Sequence, residues 1–210
     1  MADIIIKGIS QSTFVWAARL ACAEKGVAHT CVAEVPHSDT ILKVHPLGMI
    51  PVLEHGDVQL WESRAIALYV DRAFDGPPLS APDAADAALE EAWASTFICA
   101  LERMLIRKYL FAYAFPNTPD GRPDMAAVEE AMPEVRQALS VVERAVADGA
   151  ILGERFRLPD LWALPILSYV SGLPEWESLS AAVPLTKAAL GPALQRPAVL
   201  ATVPPPLPRR

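Results

Sequence analysis

The sequence predicts a chain in two parts. A small α/β domain covers residues 1–76, a linker 77–84, and an all-helical domain 85–210. Three observations predict this. A β-branched run at Asp3–Lys7, a helical pattern from Phe14 and a second extended run at Ala28–Ala33 form a strand–helix–strand unit. The stretch His45–Val70, HPLGMIPVLEHGDVQLWESRAIALYV, reads as loop, short strand, tight turn, short strand and helix. At Asp75–Asp83, DGPPLSAPD, the composition shifts to proline and glycine, and beyond it the apolar pattern is helical.

Each element has a local cause. DIIIK is apolar and β-branched, which suits a buried strand. The polar loop GISQST follows at Gly8–Thr13. From Phe14, apolar residues share one face until Lys25-Gly26 supplies a C-terminal cation and a glycine stop. Strand, helix and strand then close with a right-handed crossover. Val35–Val44 reads as irregular. Next come a strand at Pro51–Leu53, a turn at His55-Gly56-Asp57, a strand at Val58–Leu60 and a helix from Glu62 to about Phe74. The order β-α-β-loop-β-β-α is that of the thioredoxin-like fold.

Past the linker, Leu89, Trp93, Phe97, Ala100 and Met104 recur at helical steps. Phe115–Pro123 is a loop. Val128, Met132, Val135, Leu139, Val142 and Val146 mark a second amphipathic helix, which Pro133 either kinks or starts. Leu158–Val170 is apolar nearly all round and reads as a buried central helix, with Pro159 in its first turn and Pro165 bending it. Leu185–Leu194 and Pro197–Thr202 close the helical domain, and the tail PPPLPRR reads as extended.

Composition narrows the function classes. Hydrophobic residues are 52% and charged residues 20%, enough for a sizeable core. The formal charge is −7 with no basic run, which disfavours nucleic acid and anionic membranes as partners. No apolar run approaches the ~20 residues of a membrane span. The start, MADIIIKGIS, reads as no signal peptide. Cys22, Cys31 and Cys99 make no CxxC or metal spacing, which suits a reducing cytoplasm and no metal.

Two details of the His45–Val70 stretch carry chemistry. Pro51 opens a strand yet gives no ladder hydrogen bond, so it marks an edge, a cis turn or a binding surface. Glu62-Ser63 opens a helix, where an acid and a hydroxyl cap the backbone donors and where the same donors can hold an anion.

These pieces resemble the cytosolic glutathione transferases, a thioredoxin-like domain joined to an all-helical one. SQSTFVWAARLACAEKGV (Ser10–Val27) resembles the family's first-helix segment, and HPLGMIPVLE (His45–Glu54) its cis-proline loop. LWESRAIALYV (Leu60–Val70) resembles the Glu-Ser helix. ILGERFRLPDLWALPIL (Ile151–Leu167) resembles the folding motif of the central helix, and RPAVLAT (Arg196–Thr202) the close of the helical domain. The chain departs at three places. His45 stands at an asparagine's usual position. Met49 replaces a basic or amide contact to the glycine end of the tripeptide. Arg157 replaces a capping hydroxyl, which leaves Asp160 without its reciprocal partner.

The resemblance implies a glutathione S-transferase with glutathione as co-substrate and a small hydrophobic electrophile as partner. Other glutathione-dependent reactions (ether cleavage, isomerisation, peroxide reduction) and a non-catalytic glutathione-binding module stay open. The backbone of Ile50 beside Pro51 would pair with the cysteinyl unit of glutathione. Ser63 and the helix start would take the γ-glutamyl carboxylate, Glu62 its ammonium, and His37 would lie near the tripeptide. Ser12 would face the sulfur, with Ser10 and Thr13 as alternatives and a plain helix cap as the structural reading. Tyr109, Tyr113, Phe115 and Trp162 would wall an apolar cleft, although aromatics at helical spacing are more often core. The resemblance also implies a cytoplasmic homodimer, with Trp61 and the first helix of the helical domain as candidate contacts.

Overall fold

The computed structural model describes residues 3–206 of the chain, so the last four residues of the PPPLPRR tail lie outside the described residues. It divides into two compact units. One holds residues 3–80 together with Arg196–Pro206, and the other holds Ala81–Gln195.

The first unit runs β1 (Ile4–Lys7), α1 (Thr13–Glu24), β2 (His29–Val32), α2 (Asp39–Leu42), β3 (Val52–His55), β4 (Val58–Trp61) and α3 (Ser63–Ala73). The sheet order is β2-β1-β3-β4, with β1 parallel to β2 and the other two pairs antiparallel. This is the thioredoxin-like arrangement. Strand alternation turns Ile4 and Ile6 into the core, where Val15, Leu20, Leu53, Ile66 and Val70 meet them fully buried. Each such side chain contributes about 1.5–3 kcal/mol.

Several bounds move, each for a local reason. Ser12 caps α1, so the helix starts at Thr13, one residue before Phe14. Pro51 precedes β3, which instead extends through His55 and leaves a two-residue turn, Gly56-Asp57. The stretch read as irregular contains α2, because the Ser38 hydroxyl accepts from the Ile41 N–H at 3.3 Å. The expected linker is partly fixed. Lys25, buried at the end of α1, donates from Nζ to Asp71 Oδ1 at 3.2 Å and to the Gly76 carbonyl at 3.4 Å. Asp71 in turn accepts from the Leu79 N–H at 2.9 Å. A Cβ at Gly76 would fall 2.5 Å from the Lys25 carbonyl oxygen, so glycine is needed there.

The close of the chain belongs with the first unit, not with the helical domain where the sequence put it. Helix α10 (Pro197–Thr202) packs on α1. The buried Trp16 indole donates to Thr202 Oγ1 at 3.0 Å, and Arg196 pairs with Glu24 at 3.1 Å. A buried indole N–H needs an acceptor, and Thr202 supplies one.

The second unit holds α4 (Ala84–Thr96), α5 (Phe111–Ala114), α6 (Met125–Ala147), α7 (Asp160–Ser171), α8 (Trp176–Ser180) and α9 (Pro184–Leu194). Between α4 and α5 the chain winds as π-helix over Phe97–Leu101 and Arg103–Leu110, with the Glu102 N–H donating five residues back to the Phe97 carbonyl. Helix α6 continues on both sides of Pro133, so that proline does not start it. Helix α7 is the buried centre expected, with Leu161, Trp162, Leu164, Ile166 and Leu167 at most 1% exposed.

Asp160 is not short of partners. Its carboxylate accepts from the Arg157 N–H at 2.9 Å and the Leu152 N–H at 2.8 Å. The Arg157 side chain, where a hydroxyl was expected, turns instead to buried Glu90 at 3.2 Å, joined by Arg155 at 3.5 Å. Glu90 also accepts from the Ala81 N–H at 2.8 Å.

Candidate functional site

The site of the first unit is assembled around Gly8. Its N–H donates to the Val32 carbonyl at 2.9 Å, which fixes the exit of β1. A Cβ at Gly8 would lie 2.5 Å from Val15 Cγ2 and 3.1 Å from Ile50 Cβ. Only glycine therefore lets the first turn of α1 and the Ile50 loop approach each other.

Three hydroxyls lie at this turn. Ser12 is half-buried, and its Oγ accepts from the Val15 N–H at 3.5 Å, the outer limit of a hydrogen bond. Ser10 donates to Gln11 Oε1 at 3.2 Å. Thr13 is buried as the first residue of α1. Of the three, Ser12 combines partial exposure with a weak cap.

The Ile50–Pro51 peptide bond is cis. The register of β3 begins at Val52, and no main-chain partner is found for the N–H or C=O of Ile50 among the described residues. Met49 beside it is 39% exposed. His37 is exposed and sits at a φ of 64°, with its N–H donating to the Gly48 carbonyl at 2.7 Å. A Cβ on Gly48, itself at positive φ, would fall 2.6 Å from His37 Nδ1, so His37 lies against the loop that leads to Pro51.

Glu62 stands at the N-cap of α3 with φ 66° and ψ 116°, a conformation costing a side-chain-bearing residue ~1–3 kcal/mol. Its side chain makes no cap hydrogen bond, which corrects the reading of Glu62-Ser63 as a capping pair. That carboxylate is 69% exposed. Ser63 is buried as the first residue of α3. Strain of this kind persists where surroundings over-determine it, and it concentrates at ligand clamps.

His45 reaches this group from the loop. It is 3% exposed, its Nδ1 accepts from the Leu47 N–H at 3.0 Å, and its Nε2 lies 3.6 Å from Glu62 Oε1. Sequence reasoning noted only that His45 departs from a pattern. Nothing in the order of residues signals that a loop imidazole meets an acid seventeen positions on.

The expected aromatic wall divides. Trp162 and Tyr109 are fully buried core residues of the helical unit and offer no surface, which corrects that expectation. Tyr113 is half-buried and Phe115 is 49% exposed, its ring edge-on to Phe111 at 4.9 Å. The Tyr109 and Tyr113 hydroxyls both donate to Glu175, a residue the sequence did not single out. Burial, and then the bond to a carboxylate, push both phenols up. Burial alone would raise Glu175, but the two phenol hydrogen bonds outweigh it and leave its carboxyl below the usual range.

Among the described residues, no three His, Cys, Asp or Glu side chains gather closely enough to hold a metal ion. No helix among them is long and apolar enough to cross a membrane.

Comparison with known proteins shows the family. Residues 8–78 match the family model for the N-terminal domain of glutathione S-transferases. A glutathione S-transferase 3 of Zea mays is 32% identical over 184 residues, covering 79% of this chain and 77% of its own. A glutathione S-transferase of Silene vulgaris is 28% identical over 137 residues, covering 62% of this chain. The chain spans less than two thirds of that relative, 63% of its length. Among solved structures, the theta class glutathione S-transferase of Xanthomonas axonopodis pv. citri, determined with glutathione bound, superposes with a TM-score of 0.78 at 25% identity over 99% of this chain and 100% of its own.

Proposed function

This chain belongs to the glutathione S-transferase family, and on that premise we propose that it joins the thiolate of glutathione to a small hydrophobic electrophile by substitution or addition. One observation carries the reading. Around Gly8, the N-terminus of α1 with Ser12 and the unpaired backbone of Ile50 are brought together. An extended peptide can add to that backbone like a strand, which would place a cysteinyl sulfur near Ser12. The start of α3 with Ser63 suits the γ-glutamyl carboxylate, Glu62 its ammonium, and His37 the flank of the tripeptide. Met49 offers no charge or amide to the glycine end, so affinity there would be low.

The chemistry needs thiolate. A thiol of pKa ~8.5 is about 3% ionised at pH 7. A hydroxyl donor and a helix N-terminus lower that value. A drop of two units raises the thiolate roughly 25-fold but makes the sulfur ~6–10-fold less nucleophilic. Ionisation is therefore worth little on its own, and holding the electrophile supplies most of the rate. Tyr113 and Phe115, the two of the four aromatics that present surface, are the proposed electrophile contacts.

Ser12→Ala tests the assignment with an aryl halide as electrophile. Turnover at pH 6.5 should fall roughly five- to tenfold, and the rising limb of the pH–rate profile should move up by about 1–2 units, because one hydrogen bond to the thiolate is lost. Glutathione affinity should stay nearly intact. An unchanged profile rejects Ser12 as the group facing the sulfur, and the same experiment on Ser10→Ala then tests the alternative. Retention on immobilised glutathione without turnover would instead favour a binding module.

The chain is further proposed to act as a cytoplasmic homodimer that clears reactive electrophiles. Trp61 is 41% exposed, and Leu60, Ala65, Leu68, Tyr69, Arg72 and Ala73 line a groove of about 460 Å³. Exposed apolar surface of this kind suits a second copy. Sedimentation of wild type and Trp61→Ala measures it, and a monomer at micromolar wild-type concentration overturns it.

A further inference from the structure

We propose that His45 is a positioning residue for Glu62, and so sets how tightly this chain holds glutathione. The inference rests on the assignment of Glu62 to the γ-glutamyl ammonium.

His45 is itself rigidly placed. Its N–H donates to the Ile41 carbonyl at 2.8 Å, and its own carbonyl accepts from the Gly48 N–H at 3.0 Å. The ring is buried, so it is set by the fold and not by solvent. Nδ1 accepts from the Leu47 N–H, which leaves the proton of the neutral ring on Nε2. That nitrogen lies 3.6 Å from Glu62 Oε1, within ionic reach though long for a hydrogen bond.

Glu62 needs such a neighbour. It departs from the sheet at positive φ, gives no cap to α3, and is mostly exposed. His45 is the one side chain paired with its carboxylate among the described residues. A free glutamate samples many rotamers, and fixing one on binding weakens affinity. A buried imidazole nitrogen 3.6 Å from the carboxylate narrows that choice beforehand.

The imidazole thus does two jobs with two nitrogens. The first closes a turn onto the backbone two residues ahead, as an asparagine can in an Asx turn. The second reaches Glu62, which asparagine is too short to do. His45→Asn therefore separates the two.

The experiment is a calorimetric titration of glutathione into the full chain as wild type, His45→Asn, Glu62→Gln and the double variant, with a thermal scan of each. Glu62→Gln should weaken binding most. His45→Asn should weaken it about three- to fivefold, the upper end for one contact to an exposed carboxylate. The double variant should match Glu62→Gln within about twofold, because His45 has nothing left to hold. In turnover with an aryl halide, His45→Asn should raise the KM for glutathione and keep kcat at saturation.

Wild-type affinity for His45→Asn, beside a weakened Glu62→Gln, overturns the inference and leaves the Glu62 assignment standing. So do losses that simply multiply in the double variant. Wild-type affinity for Glu62→Gln removes the Glu62 assignment and the inference with it. If His45→Asn does not fold, His45→Gln is read instead, since its amide nitrogen reaches as far as Nε2. His45→Gln should then keep near-wild-type affinity while His45→Leu, which offers no N–H, loses about three- to fivefold, and equal affinity for these two variants overturns the role.

Discussion

Replacing Glu62 with glycine should make the protein more stable and a poorer binder at once. The backbone of Glu62, at φ 66° and ψ 116°, costs ~1–3 kcal/mol for a residue with a Cβ. Glycine removes that cost but adds ~0.5–1 kcal/mol of chain entropy. Losing the contact to His45 at 3.6 Å, on a carboxylate 69% exposed, costs up to about 1 kcal/mol. The balance is a gain of about 1 kcal/mol, which for a chain of this size raises Tm by about 2–4 °C. Binding moves the other way. A charge-assisted contact to an ammonium is worth ~1.5–3 kcal/mol, so glutathione should bind roughly 10–100-fold more weakly. Glu62→Ala is the control, because alanine keeps the strain and loses the carboxylate. Scanning calorimetry and glutathione titration on both variants give the answer. If Glu62→Gly melts no higher than Glu62→Ala, the strain argument fails; if it binds as wild type does, the site argument fails.

Glu90→Ala should destabilise the helical unit by about 2–3 kcal/mol in a urea melt. That is below the usual 3–5 for breaking a buried pair, because Arg155 and Arg157 keep partial access to water (45% and 33%). A midpoint unchanged by Glu90→Ala would show the network to be idle. The Tyr109–Glu175–Tyr113 cluster predicts a pH window. The Glu175 carboxyl is held below its usual range, so its stabilisation is present above the ordinary carboxylate range and fades as pH falls through the lowered value. The stability gap between wild type and Tyr109→Phe/Tyr113→Phe, measured by urea at pH 7 and pH 3, should therefore shrink at pH 3, and a gap constant with pH refutes it. Burial pushes the Cys22 thiol up to about 12 and also raises half-buried Cys31, so a thiol reagent at pH 8 should modify exposed Cys99 first, Cys31 more slowly, and Cys22 only on unfolding. Rapid labelling of all three refutes that burial.

Most of the first unit was legible because its signals are local. β-branched runs, a glycine turn and a run of apolar residues at helical steps each act over a few neighbours, and they placed β1 to β4, α1 and α3 within two residues. Helix α2 was missed because its only signal is one capping serine before four residues. The site divides along the same line. Ser12, Pro51, Glu62 and Ser63 stand at element ends, where residue type and position coincide. The His45–Glu62 contact and the convergence of Tyr109 and Tyr113 on Glu175 depend on folded distance, which no spacing encodes. Trp162 and Tyr109 show the reverse error. An aromatic stripe has the same spacing whether it faces ligand or core, and both are core. Arg157 looked like a lost cap because pattern reasoning does not see the carboxylate of Glu90 waiting for it.

The bond from Trp16 to Thr202 spans 186 positions of chain. A ribosome makes the chain from one end, so α1 exists long before its last partner does. At ~5–20 residues per second, roughly 120 residues separate the end of the sheet-and-helix segment from Thr202, an interval of ~6–24 s. During that time the indole N–H of Trp16 lacks its native acceptor, and the surface of α1 that α10 covers is open. A nascent chain halted before residue 196 should hold its sheet loosely and be a ready client for chaperones, whereas release of α10 closes the unit in one late step.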